Sequence, residues 1–136
     1  MQSCRILIAD DDRMLRALLV HKMKKIDCEV IEASDGKQAL DLLASEQVNL
    51  VILDGMMPGM DGVEALQHIR RDPATKTIPV MMLTARRGQE DAMNAIRLGA
   101  TDYISKPFNP EDLLLRVKAL LAPEGDTSGY RESRQA

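Results

Sequence analysis

Asp10, Asp11, Asp12, Asp54 and Lys106 all stand where an apolar run of the chain ends. The runs are Ile6-Leu7-Ile8-Ala9, Leu50-Val51-Ile52-Leu53 and Tyr103-Ile104-Ser105. Near-continuous apolar runs of this length read as parallel strands buried on both faces. Ligands of open parallel sheets bind beyond the carboxyl ends of the strands. Residues far apart in sequence are therefore expected to meet at one sheet edge. Carboxylates brought that close repel unless they share a proton or a metal ion. The pattern predicts a divalent cation. A hard cation such as Mg²⁺ takes carboxylates, carbonyls and waters, and Asp11 and Asp54 would supply two ligands. A carboxylate beside such a cation and an ammonium group is a candidate phosphoryl acceptor, with positioning and electrostatics doing most of the catalysis. Thr84 ends the run Met81-Met82-Leu83 and offers a hydroxyl to a phosphoryl oxygen. Each residue also has a plain alternative. Acids after a strand are often helix caps, Asp12 is read as one, and a Thr before a helix is commonly another. Four strand ends bearing Asp, Asp, Thr and Lys together are hard to explain as caps.

The elements that must position these groups alternate. Strands are expected near 5–9, 29–33, 49–53, 79–83 and 101–105. Between them, apolar residues recur at helical spacing. The sets are Leu15, Leu18, Leu19, Met23 and Ile26; Ala39, Leu40 and Leu43; Val63, Leu66 and Ile69; Ala92, Met93 and Ile96; and Leu113, Val117, Leu120 and Leu121. Asp35 with Gln38 fits a capping box. Asn109-Pro110 places a cap before a first-turn proline, and Gly99 suits a left-handed helix end. Alternating strands and helices imply a parallel sheet with right-handed crossovers. The expected fold is a three-layer α/β, flavodoxin-like (βα)5 architecture with a five-stranded parallel sheet of order 2-1-3-4-5. That order places the first and third strands, which carry the aspartates, at the switch point.

Length and composition agree with one domain. The chain has 136 residues, an apolar fraction of 45%, no Trp, one Phe and two Tyr, so Leu, Ile, Val, Met and Ala must build the core. Such a length buries a real core without staples. A net charge of −3 gives no sign of a nucleic-acid binder. No run approaches a membrane span, and a strand begins too early for a signal peptide. A soluble cytoplasmic protein is expected, without membrane or direct nucleic-acid contact. Cys4 and Cys28 lack metal-ligand spacing and are expected to be free thiols. Residues 1–122 are expected to form the domain, and the polar, turn-rich residues 123–136 a flexible tail or the start of a linker.

Several words in the chain are specific in combination: Ile6-Leu-Ile-Ala-Asp10-Asp11-Asp12 with Arg16, Leu53-Asp54-Gly-Met-Met-Pro58-Gly-Met-Asp61-Gly62, Leu83-Thr84-Ala85, Gly99-Ala100 and Tyr103-Ile-Ser-Lys106-Pro107-Phe108. Over about residues 4–121 the chain resembles the receiver domain of two-component response regulators, the CheY-like family. The resemblance implies a signalling switch rather than an enzyme in the ordinary sense. It makes Asp54 the phosphoacceptor, served by a histidine kinase or phosphotransfer protein. Asp10 and Asp11 become the acid pair for Mg²⁺, for which Mn²⁺ could substitute, and the Met56 backbone carbonyl completes the protein ligands. Lys106 pairs with the phosphoryl group or the acceptor carboxylate, through a cis Lys106–Pro107 bond. Thr84 is the switch hydroxyl and Tyr103 the switch aromatic.

In the family, output passes through the fourth helix, fifth strand and fifth helix. Here Arg97, Asp102, Arg116 and Lys118 would lie on that face and could pair across a homodimer. Met56 and Arg86 stand where the chemotaxis type has Asn and Glu, and a slower loss of phosphate is expected. Two rival readings remain: a haloacid-dehalogenase-type aspartyl-phosphate hydrolase with Asp10 as nucleophile, and a receiver-like interaction module that works without phosphate.

Overall fold

The computed structural model describes residues 4–84 and 89–122. Residues 123–136, expected to be a tail or linker, lie outside them. Five parallel strands form one sheet of order β2-β1-β3-β4-β5. They are β1 (Cys4–Ala9), β2 (Cys28–Ala33), β3 (Leu50–Asp54), β4 (Val80–Thr84) and β5 (Asp102–Ser105). The helices are α1 (Arg13–Met23), α2 (Gly36–Ser45), α3 (Gly62–Arg71), α4 (Gln89–Arg97) and α5 (Pro110–Leu121). The flavodoxin-like order expected from the sequence is the observed one, and β1 and β3 are neighbours, pairing from Ile6↔Leu50 to Ala9↔Leu53.

The strand period of two divides the core into two layers. Leu7, Ala9, Val51, Leu53, Val80 and Met82 face α2, α3 and α4. Ile6, Ile8, Leu50, Ile52, Met81 and Leu83 face α1 and α5. A slip of one residue in β1 or β3 would exchange these sets, so the register that brings Asp10 and Asp54 together is held by burial on both faces.

Local chemistry sets the helix ends. The Asp12 carboxylate accepts from the Met14 and Leu15 amides and starts α1. Asn109 accepts from the Glu111 amide, with Pro110 in the first turn of α5. Gly99 follows α4 with a φ of +117°, where a side chain would be strained. At α2, Asp35 accepts from the Gln38 amide. The return half of the expected capping box is shifted by one residue, because the Gln38 side chain accepts from the Ser34 amide.

Two expectations are corrected. Met93 and Ile96 do not lie on the buried face of α4; both are exposed, and among the described side chains of the helix Ala95 is buried, the Ala92 side chain lying outside the described residues. A small side chain lets the helix lie close to the sheet, and this outweighs the larger apolar area of its neighbours. Cys4 and Cys28 are not free thiols but form a disulfide. They are opposed residues at the starts of β1 and β2, with Cα atoms 4.7 Å apart. Adjacency in a parallel pair brought together two cysteines that have no informative spacing in the sequence.

A disulfide stabilises mainly by restricting the unfolded chain, and a loop of this size contributes about 3 kcal/mol. Reduction should lower the stability measured by urea unfolding by about that amount. Cys28→Ser should make the midpoint insensitive to reductant, and a wild-type midpoint unchanged by reductant would contradict the bond.

Candidate functional site

The carboxyl ends of β1, β3, β4 and β5 converge on one edge. Asp10 follows β1 directly and is fully buried. Its amide donates to the Ala33 carbonyl of β2, 3.1 Å away. The Asp12 amide donates to Asp10 Oδ1 at 2.8 Å, and Lys106 Nζ donates to Oδ2 at 2.9 Å. Asp11 is exposed beside it. Asp54 ends β3 and is buried. Its Oδ1 lies 3.3 Å from Lys106 Nζ and accepts from the Met56 amide at 3.3 Å. One carboxylate oxygen from each of Asp10, Asp11 and Asp54 lies within 4.8 Å of the others.

Lys106 is delivered by the end of β5. Its amide donates to the Thr84 carbonyl at 2.8 Å, and the Lys106–Pro107 peptide is cis. Thr84 is buried at the end of β4. Its hydroxyl faces β5, 3.5 Å from the Ile104 carbonyl and 3.4 Å from Ser105 Oγ. These contacts are at the long end of hydrogen bonding. Tyr103 is half-buried against the core layer shared by α2, α3 and α4.

The electrostatics follow from this crowding. Burial pushes the Asp54 carboxyl up to about 6, the Asp10 charge adds to the rise, and Lys106 and the Met56 amide oppose it. For Lys106, burial alone would lower the ammonium's pKa. The hydrogen bond to Asp10 and the charges of Asp54 and Asp10 outweigh burial and raise it above its ordinary value. The site therefore favours a protonated lysine between two acids and disfavours full ionisation of Asp54. A small hard cation beside the ammonium would relieve this. Three carboxylates with oxygens this close are a donor set suited to Mg²⁺.

The structure thus brings Asp10, Asp11, Asp54 and Lys106 together, with Thr84 on the adjoining strand and Met56 in the turn after Asp54. Asp12 stands apart as a cap. Arg86 lies outside the described residues. Two residues gain roles that the sequence reading did not give them. Gly62 starts α3 directly beneath the acceptor: a Cβ there would lie 2.0 Å from the Asp54 carbonyl oxygen. A glycine in the first turn of a helix, where better helix formers fit, was the available signal. Arg16 Nη1 donates to the Asp10 carbonyl at 2.6 Å.

The surface expected for dimer pairing also differs. Asp102 is fully buried and lies 3.4 Å from Arg116 of its own chain. Arg116 also donates to the Tyr103 carbonyl at 2.7 Å and lies 3.4 Å from Asp112. Burial of Asp102 makes an internal partner necessary, so this pair is committed within the chain. Arg97 and Lys118 are exposed.

Residues 6–118 match the family described as the response regulator receiver domain. The chain is 37% identical over 117 residues to the phosphate regulon transcriptional regulatory protein PhoB of Escherichia coli K12, covering 86% of this chain and 51% of that protein. It is 44% identical over 117 residues to the transcriptional regulatory protein CpxR of the same organism, covering 86% and 49%. The chain spans about half the length of these curated relatives. Among solved structures, a response regulator of Chloroflexus aurantiacus superposes with a TM-score of 0.85 at 34% identity, over 90% of this chain and all of that one. The chemotaxis protein CheY4 of Vibrio cholerae gives 0.82 at 32% identity, over 88% of this chain and all of that one. The chain belongs to the receiver domain family of response regulators, whose members are signalling switches. No helix among the described residues is long and apolar enough to cross a membrane.

The raised pKa of Asp54 has a measurable sign. The fold disfavours the ionised carboxylate, so this group costs stability above about pH 6, and the cost disappears as pH falls towards the ordinary carboxylate value of 3.8. Asp54→Asn mimics the protonated form. Without added metal it should raise the urea midpoint above about pH 7, with a gain that shrinks towards zero near pH 4. A gain independent of pH would contradict the assignment.

Proposed function

We propose that this chain is a phospho-accepting receiver in which Asp54 takes a phosphoryl group from the phosphohistidine of a histidine kinase or phosphotransfer protein. The observation that carries this reading is the convergence of Asp10, Asp11 and Asp54 within 4.8 Å, with Lys106 touching both buried acids. In the transfer, an Asp54 oxygen forms the new bond to phosphorus. The phosphorus–nitrogen bond breaks, and its electron pair stays with the imidazole, which takes up a proton. Lys106 balances negative charge on the transferring oxygens. Asp10, Asp11, Asp54 and the Met56 carbonyl would hold Mg²⁺, or Mn²⁺ in its place, and the ion would neutralise charge on the phosphoryl oxygens.

Asp10 is the weaker nucleophile. Both of its oxygens are engaged, one by the Asp12 amide and one by Lys106. This counts against a hydrolase that would use Asp10. The complete set of Asp54, Lys106 and Thr84 counts against an inert interaction module.

The phosphoryl group also supplies a reason to switch. It adds charge and strong acceptor oxygens. Thr84 already has partners on β5, so it would exchange two long contacts for a charge-assisted one rather than gain a first partner. Its departure from β5 would let Tyr103 turn inward and alter the α4–β5–α5 surface. Only such a difference between states moves a two-state equilibrium. We place the chain in the cytoplasm, where a kinase could reach it and where the Cys4–Cys28 bond would form only under oxidising conditions.

Incubation with acetyl phosphate and Mg²⁺ should give one acid-stable, base-labile adduct that maps to Asp54. It should be lost in Asp54→Asn and on chelation of the metal. Turnover that survives Asp54→Asn but is lost in Asp10→Asn would favour the hydrolase, and no adduct at all would favour the inert module. Met56 lies two residues after the acceptor and is 72% exposed, and a bulky side chain at that position would hinder an attacking water. Met56→Asn with Arg86→Glu should accelerate loss of the phosphoryl group about tenfold or more, which is about 1.4 kcal/mol in the barrier. An unchanged rate would refute the role of this pair.

A further inference from the structure

Arg16 lies in the second turn of α1 and reaches back over the loop that carries the acid pair. Its Nη1 donates to the Asp10 carbonyl at 2.6 Å. Its Nε donates to the Glu32 carboxylate at 3.0 Å. The side chain is only 14% exposed. The guanidinium therefore joins the end of β1 to the end of β2 at the residue whose carboxylate enters the site. We propose that Arg16 is a positioning residue for the metal site, one that orients Asp10 through its backbone while Glu32 neutralises the guanidinium charge. This rests on the metal reading given above and deepens it.

Two effects of Arg16 oppose each other, which makes the idea testable by sign. A guanidinium close to a cation site repels the cation, so charge alone predicts tighter Mg²⁺ binding when Arg16 is removed. Orientation predicts weaker binding, because groups that hold a metal ligand in place typically account for 10–100-fold in affinity. The Arg16–Glu32 pair reduces the first effect and leaves the second. The forked shape of arginine suits the task, since it serves a carbonyl and a carboxylate at once in fixed geometry. A lysine presents a single ammonium and holds both partners less rigidly.

The same loop contains a reporter. The Asp12 amide donates to Asp10 Oδ1 at 2.8 Å, so its proton resonance reads the orientation of that carboxylate. Wild type, Arg16→Met, Arg16→Lys and Glu32→Gln should be titrated with MgCl₂ and followed by amide resonances, with thermal unfolding measured on each. Arg16→Met should weaken Mg²⁺ binding by about 10–100-fold and shift the Asp12 amide before any metal is added. Arg16→Lys should recover part of both. Glu32→Gln should weaken binding less, with a loss that diminishes at high salt, because it exposes a charge rather than removing a brace. Unchanged or tighter binding in a folded Arg16→Met protein overturns the proposal. So does an Asp12 amide that fails to move. If Arg16→Met does not fold, the same comparison between Arg16→Lys and wild type decides. A wild-type chain with no saturable response to Mg²⁺ overturns the metal reading itself, a result distinct from equal binding by wild type and variant.

Discussion

Two buried carboxylates on adjacent strands repel each other, and the architecture around them answers that repulsion. Asp10 and Asp54 are side by side because β1 and β3 pair in register, and that register is enforced by apolar side chains on both faces. The cost of the arrangement appears in the raised pKa of Asp54. It is moderated by Lys106, which arrives from the far edge of the sheet. The hydrophobic core thus supplies the constraint, and the ionic groups at its rim are left with more negative charge than one ammonium can balance. A small hard cation is the kind of group that could balance such an excess.

Much of this could be read in the sequence, for a definite physical reason. Strands buried on both faces are uninterrupted apolar runs, so their ends are sharp and the residues at those ends stand out. Asp54, Thr84 and Lys106 could be placed this way, and the capping role of Asp12 followed from its neighbours. Legibility failed where contacts depend on the third dimension. Among the described side chains of α4 the buried one is Ala95, which periodicity weighs less than Met93 or Ile96. The Cys4–Cys28 bond depends on which residues face each other across two strands. The fit of Gly62 under the Asp54 carbonyl depends on how α3 meets β3. Partners of buried charges were hidden too: Asp102 looks like a surface group in the sequence and is fully buried.

These hidden contacts bear on how a signal would leave the site. Thr84 and Lys106 tie the ends of β4 and β5 together, Thr84 by its hydroxyl near the Ile104 carbonyl and Lys106 by its amide, which donates to the Thr84 carbonyl. Arg116 of α5 grips the Tyr103 carbonyl and Asp102 on the same strand. The ends of β4 and β5 and one face of α5 therefore share a short chain of polar contacts. A change in the partner of Thr84 has little distance to travel before it reaches a side chain on the outer surface. On the opposite flank, Gly62 leaves α3 without slack against the backbone of the acceptor.

The bond between Cys4 and Cys28 has a topological consequence. It closes β1, α1 and the first residue of β2 into a covalent ring, and Asp10 and Asp11 lie on that ring. The rest of the sheet hangs from it at a single point after Cys28. A single cut in α1 would open the ring without separating the chain into two molecules. The half of the site contributed by β1 would stay attached to the half contributed by β3, linked through sulfur instead of through the peptide backbone.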